Sequence, residues 1–306
     1  VITNFDQLVE TARSYPSQRL AVAVAQDCEV LAAVREAIEE NLITARLFGD
    51  EEEIKKAAVK AGLDLNRAEI EVIHERDPVK ASQMAVVAVK TGQADMLMKG
   101  LVHSAVIMKQ ILDKDTGLRK SKVLSHVALL EGPGPDRITF MTDGGMVINP
   151  NLQQKVEMIN NAVGVARALG YQQPKVAVIA GLELVNPDMP ATLDAAVLAK
   201  MGERGQIPHA IVDGPLALDV ALSREAALHK GVKGEIQGDA HILLVPNLEV
   251  GNVLYKTAVA FGGVKTAGTI TGASAPIILT SRADSHYAKF YSIALAQVLA
   301  WQNQRR

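Results

Sequence analysis

The sequence predicts an α/β fold made of two doubly wound α/β domains, and three observations carry that prediction. Strand-like apolar segments alternate with segments of helical periodicity along nearly all of the 306 residues. That is the rhythm of mostly parallel sheets covered by helices. Aromatic residues are only 4% of the chain, while Ala and Val are plentiful. This suits helices packed closely on a parallel sheet and disfavours platforms for base stacking. The rhythm breaks once, where apolar runs at 127–130 and 138–141 flank a Gly/Pro-rich stretch from Glu131 to Asp136. Two strands joined by such a turn read as a hairpin, which in an α/β chain marks a domain start or a dimer-facing edge.

The elements follow in order. Residues 20–25 form an apolar strand run, and 31–41 read as a helix. Residues 43–48 are a strand ended by Gly49-Asp50, and 51–62 a helix with acids in its first turn and lysines after them. That order complements the helix dipole. Residues 70–74 are a strand, and 78–91 a helix with Asp77 as N-cap and Pro78 in its first turn. A short strand at 96–98 ends at Lys99-Gly100, and a helix covers 102–112. After the hairpin come helix 152–169, strand 176–180, helix 192–201, strand 210–213, helix 216–229 and strand 242–245. Helix 252–261, strands 266–270 and 277–280, and a last helix at 287–301 complete the chain. The expected domains are 1–120 plus 274–306, and 121–273. A cleft between them is the default ligand site.

The bulk composition excludes several classes. A hydrophobic content of 48% with 22% charged residues is that of a soluble globular protein. The net charge of −2 gives no argument for nucleic acid or an anionic membrane as partner. No apolar run approaches the roughly 18–20 residues that span a bilayer, and no export signal precedes Phe5. The first residue is Val1 rather than Met, which suggests a processed start. A lone cysteine, Cys28, permits no internal disulfide, so a reducing cytoplasm is expected, with Cys28 buried and inert. No GxGxxG, GxxxxGK[ST] or GxSxG motif is present. The seven histidines are dispersed, so no metal site is expected.

Polar residues gather where strand patterns end, and ligands of open α/β sheets bind there. Val245-Pro246-Asn247-Leu248-Glu249-Val250-Gly251-Asn252 runs from a strand into a helix and places Asn247, Glu249, Asn252 and Lys256 within ten residues. Asp213-Gly214-Pro215 and Ser281-Arg282-Ala283-Asp284 repeat the arrangement. Lys99-Gly100 closes a strand, and His103-Ser104 opens a helix, whose N-terminus suits an anion. Each residue also has a plain structural reading. Asn247, Asn252 and Asp284 are natural helix caps, Asp213 a turn residue, and Glu249 a dipole partner. Lys256 reads equally as a solvated helix lysine, Arg282 as a structural pair, and His103 as a hydrogen-bonding residue.

Asp213 to Asp219, then 245–252 with Tyr255-Lys256, then Ser281-Arg282, resemble the phosphate acetyltransferase/phosphate butyryltransferase family. Segments 99–105 and 147–151 are similar to further family stretches, and the likeness runs from about residue 95 to the end. The resemblance implies an isocitrate dehydrogenase-like pair of α/β domains with the active site in the interdomain cleft. It implies reversible transfer of an acyl group between CoA and inorganic phosphate, so that acyl-CoA and phosphate are the partners. CoA is then a substrate or product, and no cofactor is tightly bound. Relatives are dimers or larger, which implies a homodimer or higher homo-oligomer.

The form of 280–285, and the shortness of the chain, resemble the butyryl branch. The segment 272–276 departs from the Gly-Pro-rich form usual in the acetyl branch. Arg282 offers a planar fork for phosphate, and Ser281 a donor to phosphate or the tetrahedral oxyanion. Acetyl-type relatives carry a catalytic Asp several residues beyond Ser-Arg. Here that position falls near Ala288, so Asp284 is the substitute base for the CoA thiol. Lys99, His103 and Ser104 are candidates for phosphate or the CoA pyrophosphate. Arg119, within the basic group Lys114–Lys122, matches a family cleft arginine. Three other readings stand beside this one: an acetyl-specific enzyme, a metal- and nicotinamide-dependent dehydrogenase of the same broad fold, and a non-catalytic sensor of CoA or acyl phosphate.

Overall fold

The structure, a computed structural model, describes residues 1–132, 137–282 and 284–305. The expected hairpin turn at 133–136 lies outside them, as does Ala283. The chain divides into two compact units. The first is Phe5–Lys122 with Thr266–Arg306, and the second is Val1–Asn4 with Val123–Lys265.

The first unit opens with α1 (Phe5–Arg13), β1 (Gln18–Ala23), α2 (Cys28–Glu39), β2 (Ile43–Gly49) and α3 (Glu51–Ala61). It continues with β3 (Ile70–His74), α4 (Pro78–Lys90), β4 (Met96–Lys99) and α5 (Ser104–Ile111). The helix starts follow capping chemistry. Asp27, Asp50 and Asp77 each accept a hydrogen bond from a backbone amide of the helix that follows, satisfying donors that would otherwise lack partners. Pro78 sits in the first turn of α4 as expected. The expected start of a helix at 102 moves to Ser104, because 100–103 make a tight turn in which the Val102 amide bonds Gly100 O.

The second unit holds β5 (Ser125–Glu131), β6 (Ile138–Thr142), α6 (Leu152–Ala168), β7 (Lys175–Ile179), α7 (Pro190–Glu203) and β8 (Ile211–Leu216). Then come α8 (Leu218–Leu222), α9 (Arg224–His229), β9 (Ile242–Leu244) and α10 (Leu248–Gly262). Its strands lie in the order β5-β6-β9-β7-β8. The hairpin is present: β5 runs antiparallel to β6, while β6, β9, β7 and β8 are parallel. Two sequence expectations change here. Strand 210–213 continues through Pro215 to Leu216, since Leu216 pairs with Ile179. The single helix expected at 216–229 breaks at Ser223, whose hydroxyl caps α9 through Ala226 N. A core including Met141, Ala177, Leu216, Val220, Ile236 and Leu243 fills this unit.

The chain then returns to the first unit through β10 (Lys265–Thr271), β11 (Ile277–Ile278) and α11 (His286–Asn303). The sequence expectation left β10 with the middle segment. It belongs here because it pairs with β11. The strands lie in the order β3-β2-β1-β4-β11-β10, all parallel except β10. Helix α11 is buried along most of its length and buries twelve residues, most of them apolar, including Phe290, Ile293 and Leu299. Such a helix belongs inside a fold. Each large side chain it buries contributes roughly 1.5–3 kcal/mol. Tyr291 stacks on Phe5 at 4.6 Å, tying α11 to α1.

The chain leaves β1 toward β2 and β3 on one side, while β4 lies on the other side of β1. The reversal makes the carboxyl ends of β1 and β4 a topological switch point. They are drawn tightly together there: Gly100 N donates to Ala23 O at 2.8 Å and Leu101 N to Val24 O at 2.7 Å. Val24 has φ +57°, an unfavourable conformation for a β-branched residue. A Cβ at position 100 would lie 2.1 Å from Val24 O, so only glycine fits. Gly100→Ala is expected to lower unfolding stability by about 1–3 kcal/mol. Urea melts check this, and an unchanged midpoint would contradict the tight junction.

Candidate active site

Around the switch point the first unit gathers Lys99, Ser281, Arg282 and Asp284. Lys99 ends β4, and residues 280–284 follow β11, the next strand along and parallel to β4. Lys99 is only 5% exposed. Among the described residues its ammonium forms no ion pair and donates to Gly100 O and Val102 O, both at 3.4 Å. Burial pushes its pKa below the ordinary lysine range. The positive charge of Arg282 pushes the same way, as does that of Lys289, while Asp27 and Asp284 oppose it.

Arg282 is exposed, and among the described residues its guanidinium has no hydrogen bond or ion pair. The structural pairing that its position allowed is therefore not made. The turn beneath it is tightly defined. Asp284 Oδ2 accepts from Ser281 N at 2.8 Å, and Asp284 N donates to Ser281 O at 3.2 Å. Ser285, rather than Asp284, caps α11, through Ala288 N. Ser281 is exposed beside Arg282.

The remaining first-unit candidates separate. His103 is the residue before α5 and makes no side-chain cap; it and Ser104 are exposed. Arg119 donates to Ser121 O at 3.1 Å and Lys122 O at 2.8 Å, and its backbone bridges Ala273 in the β10–β11 connection. That connection lies where β4 begins, whereas Lys99 stands where β4 ends. The structure therefore does not group Arg119 with Lys99.

In the second unit most candidates have structural work. Asp213 lies inside β8 opposite Ala177, not at a strand end. Its carboxylate accepts from Gly214 N and from Ile236 N, holding the segment that leads to β9. Asn247 caps α10 through Val250 N at 3.0 Å. Asn252 Nδ2 donates to Gly144 O at 3.2 Å, fixing α10 against the turn after β6. Gly251 permits that approach, since a Cβ there would meet Asp143 O at 2.5 Å. Buried Asp143 organises the turn, accepting from His126 N, Gly145 N and Met146 N. Glu249, Asn252 and Lys256 share one face of α10 by their three- and four-residue spacing. Glu249 and Lys256 are exposed and form no ion pair among the described residues.

Sequence reasoning missed two groups near Lys99. Asp27 follows β1 and caps α2. It had the same strand-to-helix signal as the other candidates. Lys289, in α11, is 2% exposed and had no such signal, because it occupies a core-facing helical position. Cys28, expected to be buried, is half-buried at the start of α2. Among the described residues no group of three or more His, Cys, Asp or Glu is placed to hold a metal ion. No helix is long and apolar enough to cross a membrane.

An α/β sheet whose switch point gathers unneutralised cations defines an anion-handling protein, and comparison with known proteins gives its kind. The profile of the family described as "Phosphate acetyl/butaryl transferase" matches residues 4–81 and 75–297. The chain belongs to this family and is an acyltransferase. A phosphate butyryltransferase of Clostridium acetobutylicum is 49% identical over 98% of this chain and 99% of its own. A phosphate acetyltransferase of Thermotoga maritima is 44% identical over 96% and 99%. Among solved structures, a branched-chain phosphotransacylase from Enterococcus faecalis superposes with a TM-score of 0.81 at 35% identity, covering 92% of this chain and 99% of its own.

Lys99→Met should fold and melt at or above the wild-type temperature without phosphate, because it removes a buried, unpaired charge. The sign of the pH dependence follows from linkage. With its pKa depressed in the fold, Lys99 holds more protons in the unfolded chain. Wild-type stability should therefore rise as pH climbs from the depressed value to the ordinary lysine value, and the Met variant should lose that rise. Thermal melts across alkaline pH check both points; a clearly destabilised Met variant would contradict them.

Proposed function

We propose that this chain transfers a short acyl group, four carbons long in its best substrate, between CoA and inorganic phosphate, reversibly. The observation that supports it most is the pair of cations at the switch point: buried Lys99 and exposed Arg282, neither in an ion pair among the described residues. Such a pair suits a dianion with tetrahedral oxygens. The 49% identity to a phosphate butyryltransferase supports the four-carbon preference.

In the proposed reaction Lys99 and Arg282 hold phosphate and aim one oxygen at the thioester carbonyl carbon. A carbon–oxygen bond forms, and negative charge develops on the carbonyl oxygen. The Ser281 hydroxyl donates to that oxygen. The carbon–sulfur bond then breaks, and CoA leaves as thiolate. In the reverse direction Asp284, whose Oδ1 has no partner among the described residues, takes the thiol proton. His103 and Ser104 at the start of α5 are assigned to the CoA moiety. Asn247, Asp213 and Arg119 act through the backbone segments they hold. The lone cysteine agrees with a cytoplasmic setting, and a homo-oligomer is the proposed state.

The test is thiol release from acetyl-, propionyl-, butyryl- and isobutyryl-CoA with and without phosphate. Release should require phosphate and be fastest, by kcat/KM, for a four-carbon chain. Arg282→Ala should lower kcat/KM by about 100-fold or more. Preference for acetyl-CoA would overturn the chain-length assignment, and absence of phosphate-dependent release would overturn the reaction.

A further inference from the structure

Lys289 has a place in the proposed reaction that the sequence motifs do not show, an inference that rests on the functional reading above. Its side chain is almost fully buried, at 2% exposure, and forms no ion pair among the described residues. Burying an ammonium without a counter-charge costs several kcal/mol unless strong acceptors surround it. Its acceptors are two backbone carbonyls of one turn: Ser281 O at 3.4 Å, and Asp284 O in a shorter contact. Those are the first and last residues of the turn that carries Arg282. The same two residues are already joined by two other bonds, Ser281 N to Asp284 Oδ2 and Asp284 N to Ser281 O.

Lys99 treats its own turn alike, giving its ammonium to Gly100 O and Val102 O. The ends of β4 and β11 are thus each followed by a turn whose backbone carbonyls accept from a buried lysine. The difference lies in reach. Lys99 lies at the end of a strand in the site, whereas Lys289 rises from inside α11 and touches only the backbone of the turn.

We infer that Lys289 is a positioning residue, which clamps the Ser281–Asp284 turn so that the Arg282 guanidinium is held toward phosphate without Lys289 itself touching substrate. Among the described residues the Arg282 guanidinium makes no hydrogen bond or ion pair of its own, so its aim is set by the turn that carries it. Loss of the clamp therefore releases the turn and weakens the phosphate interaction in particular. It leaves the acyl-CoA interaction largely intact.

The experiment is a double-mutant cycle of Lys289→Met with Arg282→Ala, read as KM for phosphate, KM for acyl-CoA and kcat, with thermal melts alongside. In the Lys289→Met enzyme, KM for phosphate should rise about 10-fold or more, while KM for acyl-CoA stays within about twofold. In the Arg282→Ala background the same substitution should change KM for phosphate by less than about twofold, because its effect passes through Arg282. Lys289→Gln, which keeps a donor without the charge, should recover at least half of the loss in logarithmic terms, and it takes the place of the Met variant if the latter does not fold. A folded variant with unchanged phosphate KM would overturn the inference. So would effects that multiply fully with those of Arg282→Ala. A wild-type enzyme without phosphate-dependent thiol release would instead overturn the functional reading itself.

Discussion

The first unit is organised around one costly feature, an almost fully buried ammonium at the carboxyl end of β4 that forms no ion pair among the described residues. Lys99 keeps only two carbonyl acceptors, at distances too long for strong bonds. Its pKa falls because burial disfavours the charged form, and Arg282 and Lys289 add to the penalty. A fold selected for stability alone would place an apolar side chain there. In the function proposed above the charge serves an arriving anion, since the field is already in place and the protein need not reorganise to supply it.

The surrounding architecture keeps that charge in position. The carboxyl ends of β1 and β4 lie so close that Gly100 admits no side chain, and Val24 adopts an unfavourable backbone to turn its carbonyl toward Leu101. Helix α11, buried on all sides, brings its first turn under the segment after β11. Asp284 and Lys289 then define the turn that exposes Arg282. Stability and function conflict locally here, and the conflict is sustained by the apolar mass of α11 and the strand core around it.

Much of this was legible in the sequence. The βα alternation, the hairpin, and the Asp27, Asp50 and Asp77 helix starts come from periodicity and capping, both local properties. The placing of Lys99, Ser281 and Arg282 at strand ends was legible too, because a parallel sheet forces polar residues to gather at its carboxyl edge. Asp213 misled, since its Gly-Pro sequel looks like a turn, while pairing of Leu216 with Ile179 carries the strand onward. Arg119 misled in the opposite sense. Its charge suggested a ligand, and its fork is spent on Ser121 and Lys122 carbonyls. Lys289 was invisible because nothing local distinguishes a buried helix lysine from a solvated one. Only the tertiary course of 281–284 over α11 gives it partners.

The central claim is that the depressed Lys99 ammonium is held for a phosphate dianion, and proton linkage tests it most directly. Calorimetric titration with phosphate at a series of pH values from neutral to alkaline, in buffers of differing ionisation enthalpy, reports the protons taken up on binding. The account predicts net proton uptake by the wild-type protein, as the bound dianion restores the charged form of Lys99, and loss of that uptake with weaker binding in Lys99→Met. Equal affinity and equal proton uptake in the two proteins would contradict it.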